Sequence, residues 1–373
     1  MKFASVLGLA AVAAGLSPII RDPPVHSASG PAANLQDIPP GAPVFELDPS
    51  WPAVPDRWVL GEVSSIGVDD RGRILLLHRP RSAPPAERSR AAPPVLEFDI
   101  AGDFLGAWGG AGAGYEWPER EHGIHVDHEG SVWIGGNYCA ERDLPGLEPV
   151  SDDQLLKFSR SGEFLLQIGR SDGSAGSGDI RNVRQPGDQA VYPPTNEVFV
   201  ADGYGNRRIV VFDADTGEFR RMWGAFGNDP ADSYECPPSL DPPVPGGDEG
   251  PPQFHIVHAV SISGDGLVYV ADREFARLQV FDIDGGFVEQ VFMPDNAGPG
   301  DVAFSADPSQ EFMYVAAGSR TFVMERRSLE VLYWFEGSGH HIATDAEGNL
   351  YTAETGQRRA RKFVFMGLSG AGR

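Results

Sequence analysis

Three histidines recur at one phase of a repeated sequence pattern. His122, His258 and His340 each occupy the first position of a predicted inner strand, in every second repeat. If the repeats close into a six-fold ring, alternate units are about 120° apart and the three imidazoles point inward around one axis. Three imidazoles with an open fourth position are typical of a catalytic Zn²⁺ site. At this position the other repeats carry Ser64, Gly187 and Gly300. These small residues leave room for a metal and its ligand, whereas a single histidine there would suggest only a satisfied core residue.

A second aligned position adds two arginines and a tyrosine. Arg79, Tyr204 and Arg273 stand at the end of the second strand of their repeats, which returns to the histidine end because paired strands run antiparallel. Arginine binds carboxylates bidentately, so we expect a small-molecule or peptide carboxylate as substrate. A tyrosine beside a metal and an arginine can act as a general base, because both stabilise its phenolate. The alternative for each of these residues is a structural role, either in a hydrogen bond between blades or as a stacked surface residue.

The repeat that positions these side chains is clearest in residues 186–212. It contains an alternating strand, a Pro/Thr/Asn turn, the strand VFVAD, a Gly-Asn turn and the strand RIVVF. Similar units begin at each of the three histidines. Self-similarity at this period indicates a stacked or radial repeat architecture.

Six such units can be counted, and the chain is rich in turn residues, with 46 glycines and 32 prolines. The last unit supplies three strands, while an unpaired strand, PVFELDPSW, precedes the first unit. Pairing these two segments closes a ring and protects the sheet edges. The sequence therefore predicts an all-β fold, a six-bladed β-propeller closed by an N-terminal strand. A linear solenoid is the competing arrangement.

The composition limits the partners of the protein. Its net charge of −23 argues against nucleic acids and anionic membrane surfaces, since phosphate binding needs a basic face. We divide the 373 residues into a signal peptide (1–20), a Pro/Ala-rich linker (21–42), the propeller domain (43–366) and a tail (367–373). The first segment predicts a secreted or periplasmic protein with no membrane attachment after cleavage, and we expect a monomer. Cys139 and Cys236 could form a disulfide in an oxidising compartment, but two cysteines do not establish one.

The repeats resemble NHL repeats, and the chain resembles the catalytic domain of peptidyl-α-hydroxyglycine α-amidating lyase. The resemblance lies in LLLHRP, HGIHVDHEGSVWI, ADGYGNRRIVVF, VYVADRE and GHHIATDAEGNLY. It implies a six-bladed propeller with a zinc ion, a base and two assisting arginines. The implied zinc ligands are His122, His258 and His340. The implied catalytic residues are the base Tyr204 and the arginines Arg79 and Arg273.

The resemblance also implies a reaction, in which an N-acyl-α-hydroxyglycine (a carbinolamide) is cleaved at its C–N bond to an amide and glyoxylate. The chain departs from the family at several positions. His341 stands where the family has an aspartate that binds a structural calcium ion, which argues against Ca²⁺ here. Gly205, Tyr269 and Val280 replace family cysteines, so the family disulfides are absent. Two alternatives stay open: a non-catalytic NHL module that binds a peptide or protein partner, and a zinc-dependent hydrolase of esters or lactones.

Overall fold

A computed structural model describes residues 25–27, 38–232, 236, 249–337 and 339–370. Within these ranges the protein is all-β, and six antiparallel four-stranded units are arranged as a ring. The predicted six-bladed β-propeller is thus confirmed. The predicted signal peptide lies outside the described residues. No helix among the described residues has both the length and the apolar character needed to cross a membrane.

Each blade of the first half contains four consecutive strands, given from the central channel outward. Blade one contains β3 (Glu62–Val68), β4 (Ile74–Arg79), β5 (Val95–Phe98) and β6 (Phe104–Trp108). Blade two contains β7 (Glu121–Val126), β8 (Val132–Gly136), β9 (Gln154–Phe158) and β10 (Phe164–Gly169). Blade three contains β11 (Asp188–Tyr192), β12 (Glu197–Asp202), β13 (Arg208–Asp213) and β14 (Phe219–Trp223).

The second half repeats this order until the last blade, which takes its outer strand from the other end of the chain. Blade four contains β15 (Val257–Ile262), β16 (Val268–Asp272), β17 (Arg277–Phe281) and β18 (Phe287–Phe292). Blade five contains β19 (Pro299–Phe304), β20 (Phe312–Ala317), β21 (Arg320–Glu325) and β22 (Val331–Glu336). Blade six contains β23 (His341–Thr344), β24 (Leu350–Glu354), β25 (Arg359–Leu368) and β2 (Pro43–Asp48).

The ring closes where β2 pairs antiparallel with β25, as the spare N-terminal strand predicted. Strand β25 continues to Leu368, beyond residue 366, where the sequence placed the end of the propeller. The predicted linker also contains a strand that the sequence analysis missed. This strand, β1 (Val25–Ser27), pairs parallel with β18 as a fifth strand of blade four. Short 3₁₀ helices occupy the loops at Pro80–Ser82, Arg88–Arg90, Ala140–Arg142, Ala225–Gly227, Arg273–Phe275 and Pro294–Asn296.

The core is divided into six apolar clusters, one between each pair of neighbouring blades. Strand β12 shows why the sequence produces this arrangement. Val198 and Val200 pack toward blade two, whereas Phe199 and Ala201 pack toward blade four. Because successive strand side chains point to opposite faces, a blade buried on both faces needs a continuous apolar run such as VFVA. The polar residues at strand ends are therefore left for the two rims.

A disulfide joins Cys139 and Cys236, whose Cα atoms are 6.1 Å apart. It links the insertion between β8 and β9 of blade two to the long connection between blades three and four. The sequence left this pairing open, and the structure resolves it. A disulfide is typical of proteins from oxidising compartments.

Candidate active site

The three histidines of the repeat pattern lie together at one end of the central channel, and each is anchored by the following blade. The anchoring hydrogen bonds join His122 Nδ1 to the Gly187 carbonyl oxygen (2.5 Å), His258 Nδ1 to that of Gly300 (2.6 Å) and His340 Nδ1 to that of Ser64 (2.8 Å). A carbonyl oxygen can only accept, so Nδ1 of each ring must carry the proton. In the neutral imidazole, Nε2 is then left with a free lone pair. Such an outer hydrogen bond is the usual way in which proteins orient a metal-binding histidine.

The glycines between the histidine blades are required by this anchoring. A Cβ atom on Gly187 would lie 2.5 Å from the His258 carbonyl oxygen, and one on Gly300 would lie 2.7 Å from that of His340. Such distances are shorter than any normal contact, so a larger residue would push the inner strands apart. From the sequence, these small residues were expected to leave room for a metal and its ligand. The structure shows that they also permit the close strand approach that holds the imidazoles.

The three imidazoles, which we call the histidine cluster, converge closely. Their ring centroids are 4.9 Å apart for His122 and His258, 4.4 Å for His122 and His340, and 4.5 Å for His258 and His340. The Nε2 atoms of His258 and His340 are 3.1 Å apart. With both Nδ1 protons committed to carbonyls, these two lone pairs face each other without a proton between them. Two imidazole nitrogens that share a tetrahedral zinc ion lie about 3.3 Å apart, so the cluster fits a shared cation.

The electrostatic surroundings keep the cluster neutral. Burial lowers the pKa of all three imidazoles well below their usual range. Mutual repulsion lowers the pKa of His122 and His340 further, and the charge of Arg273 does the same for His258. The neutral imidazole is the form that binds a metal, so burial favours ligation over protonation.

Tyr204 and Arg273 adjoin the cluster in a continuous hydrogen-bonded chain. The Tyr204 hydroxyl lies 2.9 Å from His122 Nε2, and Arg273 Nη1 donates to the same hydroxyl at 2.9 Å. Since arginine can only donate and the His122 Nε2 lone pair can only accept, the hydroxyl proton of Tyr204 points to His122. The Arg273 guanidinium also lies 5.4 Å from the centre of the Tyr204 ring. The predicted tyrosine is therefore placed between a cation and the histidine cluster.

The loops that carry Tyr204 and Arg273 are each fixed by a buried aspartate–arginine ion pair, in blades three and four. Asp202, just before the Tyr204 loop, is fully buried and accepts a 2.8 Å hydrogen bond from Arg208 Nε. Asp272, just before Arg273, is fully buried and accepts a 2.9 Å hydrogen bond from Arg277 Nε. An ionic pair without solvent contact is stable only in one geometry, so it holds the loop at the strand end.

Arg79 approaches the cluster from blade one. Its Nε donates to the Glu121 carbonyl oxygen at 2.7 Å, and its Nη1 donates to Glu62 Oε2 at 2.6 Å. Nη2 is buried and has no hydrogen-bond partner within the described part of the chain. Burial, together with the charge of Arg120, lowers the pKa of Arg79 to about 10. A buried guanidinium hydrogen left unpaired costs free energy, so this donor is available to a ligand.

His341 is a fourth imidazole that the sequence analysis did not include in the site. One ligand atom from each member of the histidine cluster and from His341 lies within 4.8 Å of the others. His341 Nδ1 lies 3.3 Å from Asp301 Oδ2 and 3.9 Å from Asp188 Oδ1. Burial alone would lower the pKa of His341, but these carboxylates outweigh it and raise the pKa. His341, Asp301 and Asp188 also line a cavity of about 220 Å³ in the channel. An imidazole among two carboxylates suits calcium less well than the all-oxygen ligand sets this ion prefers.

The fold and the cluster together define the chain as a six-bladed propeller with a candidate metal site on its axis. No family model matches the chain. Among curated proteins, it is 27% identical to peptidyl-glycine alpha-amidating monooxygenase B of Xenopus laevis over 351 residues, which cover 86% of this chain and 35% of that protein. It is 26% identical to the Rattus norvegicus peptidylglycine alpha-amidating monooxygenase over 353 residues, which cover 86% of this chain and 32% of that protein. NHL repeat-containing protein 3 of Mus musculus is 29% identical to the chain over 277 residues, which cover 71% of this chain and 65% of that protein.

These relatives confirm the resemblance to NHL-repeat proteins and to the amidating enzyme that the motifs indicated. The chain spans about a third of the length of the amidating monooxygenases that it matches. The similarity supports a common propeller scaffold.

Proposed function

We propose that this protein is a secreted, zinc-dependent lyase that cleaves the C–N bond of an α-hydroxyglycine-type carbinolamide to an amide and glyoxylate. The observation that carries the proposal is the convergence of three imidazole lone pairs beside Tyr204, Arg79 and Arg273. The similarity to enzymes named for peptidyl-glycine amidation supports the same reaction class. The disulfide supports secretion, since such bonds persist in oxidising compartments.

His122, His258 and His340 would hold the zinc ion through their Nε2 atoms. A zinc ion bound there supplies Lewis-acid polarisation of the substrate hydroxyl oxygen. The carbonyls that hold each Nδ1 keep the three rings oriented, so little reorganisation accompanies metal or substrate binding.

The remaining steps belong to the side chains at the rim. Arg273 and the free Nη2 of Arg79 bind the substrate carboxylate and orient the hydroxyl-bearing carbon toward Tyr204. Tyr204 would act here as the phenolate, with His122 Nε2 no longer accepting its proton. The phenolate oxygen takes the proton of the substrate hydroxyl, and the C–O bond becomes the aldehyde carbonyl of glyoxylate. The C–N bond breaks with its electron pair on nitrogen, which takes up the proton and leaves as the amide. No water and no oxidant are consumed.

The test is the product set formed from α-hydroxyhippurate by the zinc-loaded protein. We expect benzamide and glyoxylate in equal amounts, at a rate abolished by a chelator and restored by zinc. Hydrolysis of the amide would release benzoate instead, which would assign the site to a zinc hydrolase. Formation of neither benzamide nor benzoate above the protein-free rate would contradict an enzymatic role and favour a binding module.

A further inference from the structure

Beside the proposed catalytic residues, arginines are concentrated in a protein that is otherwise strongly acidic. The chain has a net charge of −23, yet Arg79, Arg142 and Arg273 lie near Tyr204, and Arg120 lies beside Arg79. Glu62 is the carboxylate that neutralises part of this group. Its Oε2 accepts from Arg79 Nη1 at 2.6 Å and from Arg120 Nη2 at 3.2 Å. A local excess of positive charge in a recessed site attracts an anion.

Several donors in this region have no acceptor within the described part of the chain. Asn137 is 2% exposed, and its Oδ1 accepts from Arg120 Nη1 at 2.8 Å while its Nδ2 has no partner. The Arg142 side chain is half-buried and makes no hydrogen bond or ion pair with another described residue, and Arg120 lies close enough for its charge to act on the Arg142 guanidinium. Buried polar groups in folded proteins almost always have partners. Asn137 Nδ2 and the Arg142 guanidinium are therefore available to an anionic ligand.

Arg142 is held at this position by covalent structure. It ends the 3₁₀ helix Ala140–Arg142, which follows Cys139 directly. Because Cys139 is bonded to Cys236, the insertion that carries Arg142 is fixed to the connection between blades three and four. An arginine on a tethered turn loses less conformational entropy on binding than one on a free loop, so it is suited to ligand recognition.

We propose that Arg120, Arg142 and Asn137 form a second anion site. This site binds a carboxylate on the acyl group of the substrate, at the end opposite the carboxylate of the α-hydroxyglycine. The substrate class is therefore a dianion, an N-acyl-α-hydroxyglycine whose acyl group carries its own carboxylate. Arginine and a primary amide present N–H donors that match the two oxygens of a carboxylate. This inference extends the proposed lyase function, but the second anion site can be tested separately from turnover.

The first test is binding. Succinate, glutarate and adipate are titrated calorimetrically into the zinc-loaded protein, each beside the monocarboxylate of equal length (butyrate, valerate and hexanoate). We expect at least one dicarboxylate to bind about tenfold more tightly than its partner, as one added charge-assisted contact predicts. Arg142→Gln should bring that ratio near one, whereas Arg142→Lys should retain part of it. Arg181→Gln, an exposed arginine on another loop, serves as control and should leave the ratio unchanged.

Equal affinities for every pair in the wild-type protein would overturn the second anion site. So would a preference for dicarboxylates that Arg142→Gln leaves intact, provided the variant has the wild-type melting temperature.

The second test compares turnover of N-succinyl- and N-butanoyl-α-hydroxyglycine. We expect kcat/KM to favour the succinyl compound by about tenfold. A protein that binds dicarboxylates selectively but cleaves neither compound would keep the second anion site and exclude the lyase function. Equal cleavage of both compounds, together with equal binding of dicarboxylates and monocarboxylates, would keep the lyase function and exclude the second anion site.

Discussion

The Tyr204→Phe variant is expected to lose between about 10² and 10⁴ of kcat in carbinolamide cleavage, the usual contribution of a positioned general base. Phenylalanine keeps the ring that packs beside His122 and Arg273 but removes the oxygen that both residues contact. KM should change little, because the substrate carboxylate is bound by the arginines. Zinc content should remain at the wild-type level, since the three anchored imidazoles are untouched.

The measurement is steady-state release of amide from α-hydroxyhippurate, with zinc determined on the same samples. Tyr115→Phe is the matched control, because the Tyr115 hydroxyl donates to the Gly110 carbonyl oxygen at 3.0 Å and is not part of the site. A Tyr204→Phe variant with wild-type kcat would remove Tyr204 from the proton transfer. Parallel loss of zinc would assign it a structural role instead.

The His258→Ala variant is expected to lose zinc and activity together. Removing an outer hydrogen-bond partner of a metal ligand typically costs about 10–100-fold in metal affinity, and removing the ligand itself should cost more. Zinc should therefore dialyse away from this variant under conditions in which the wild-type protein retains it. The alanine also removes the unfavourable contact between the His258 and His340 lone pairs, so the metal-free variant should fold.

Two checks accompany the His258 variant. His128→Ala is the control histidine: it precedes Glu129 and Gly130 in an exposed turn away from the cluster, so both zinc and activity should be retained. Circular dichroism and the melting temperature establish that His258→Ala is folded. A folded His258→Ala protein with full zinc content would show that the cluster is not the metal site.

Much of the fold and of the candidate site could be predicted because the molecule is built from repeats. In a propeller, residues at the same position of each repeat lie at the same level along the central axis. Aligning the starts of the inner strands was therefore enough to bring His122, His258 and His340 together. The spare strand at residues 43–48 also followed from counting strands. These predictions depend only on the phase of the repeat, which the strand and turn signals of each unit mark in the sequence.

The features that the sequence could not predict lie outside the repeat register. Arg142 belongs to an insertion, three residues after a cysteine whose disulfide spans a sequence separation of 97. Strand Val25–Ser27 is too short to show alternation, and it pairs at the edge of a distant blade. Arg120 precedes the first residue of its inner strand, so aligned positions did not include it. Tertiary contacts of this kind have no periodic signal in the sequence.

X-ray absorption at the zinc edge of the wild-type protein determines whether three imidazoles from alternate blades hold one zinc ion. We predict about one zinc per chain, with imidazole scattering from three nitrogens at about 2.0–2.1 Å. A folded wild-type protein that takes up no zinc, or one whose zinc shows no imidazole scattering, would contradict this zinc site.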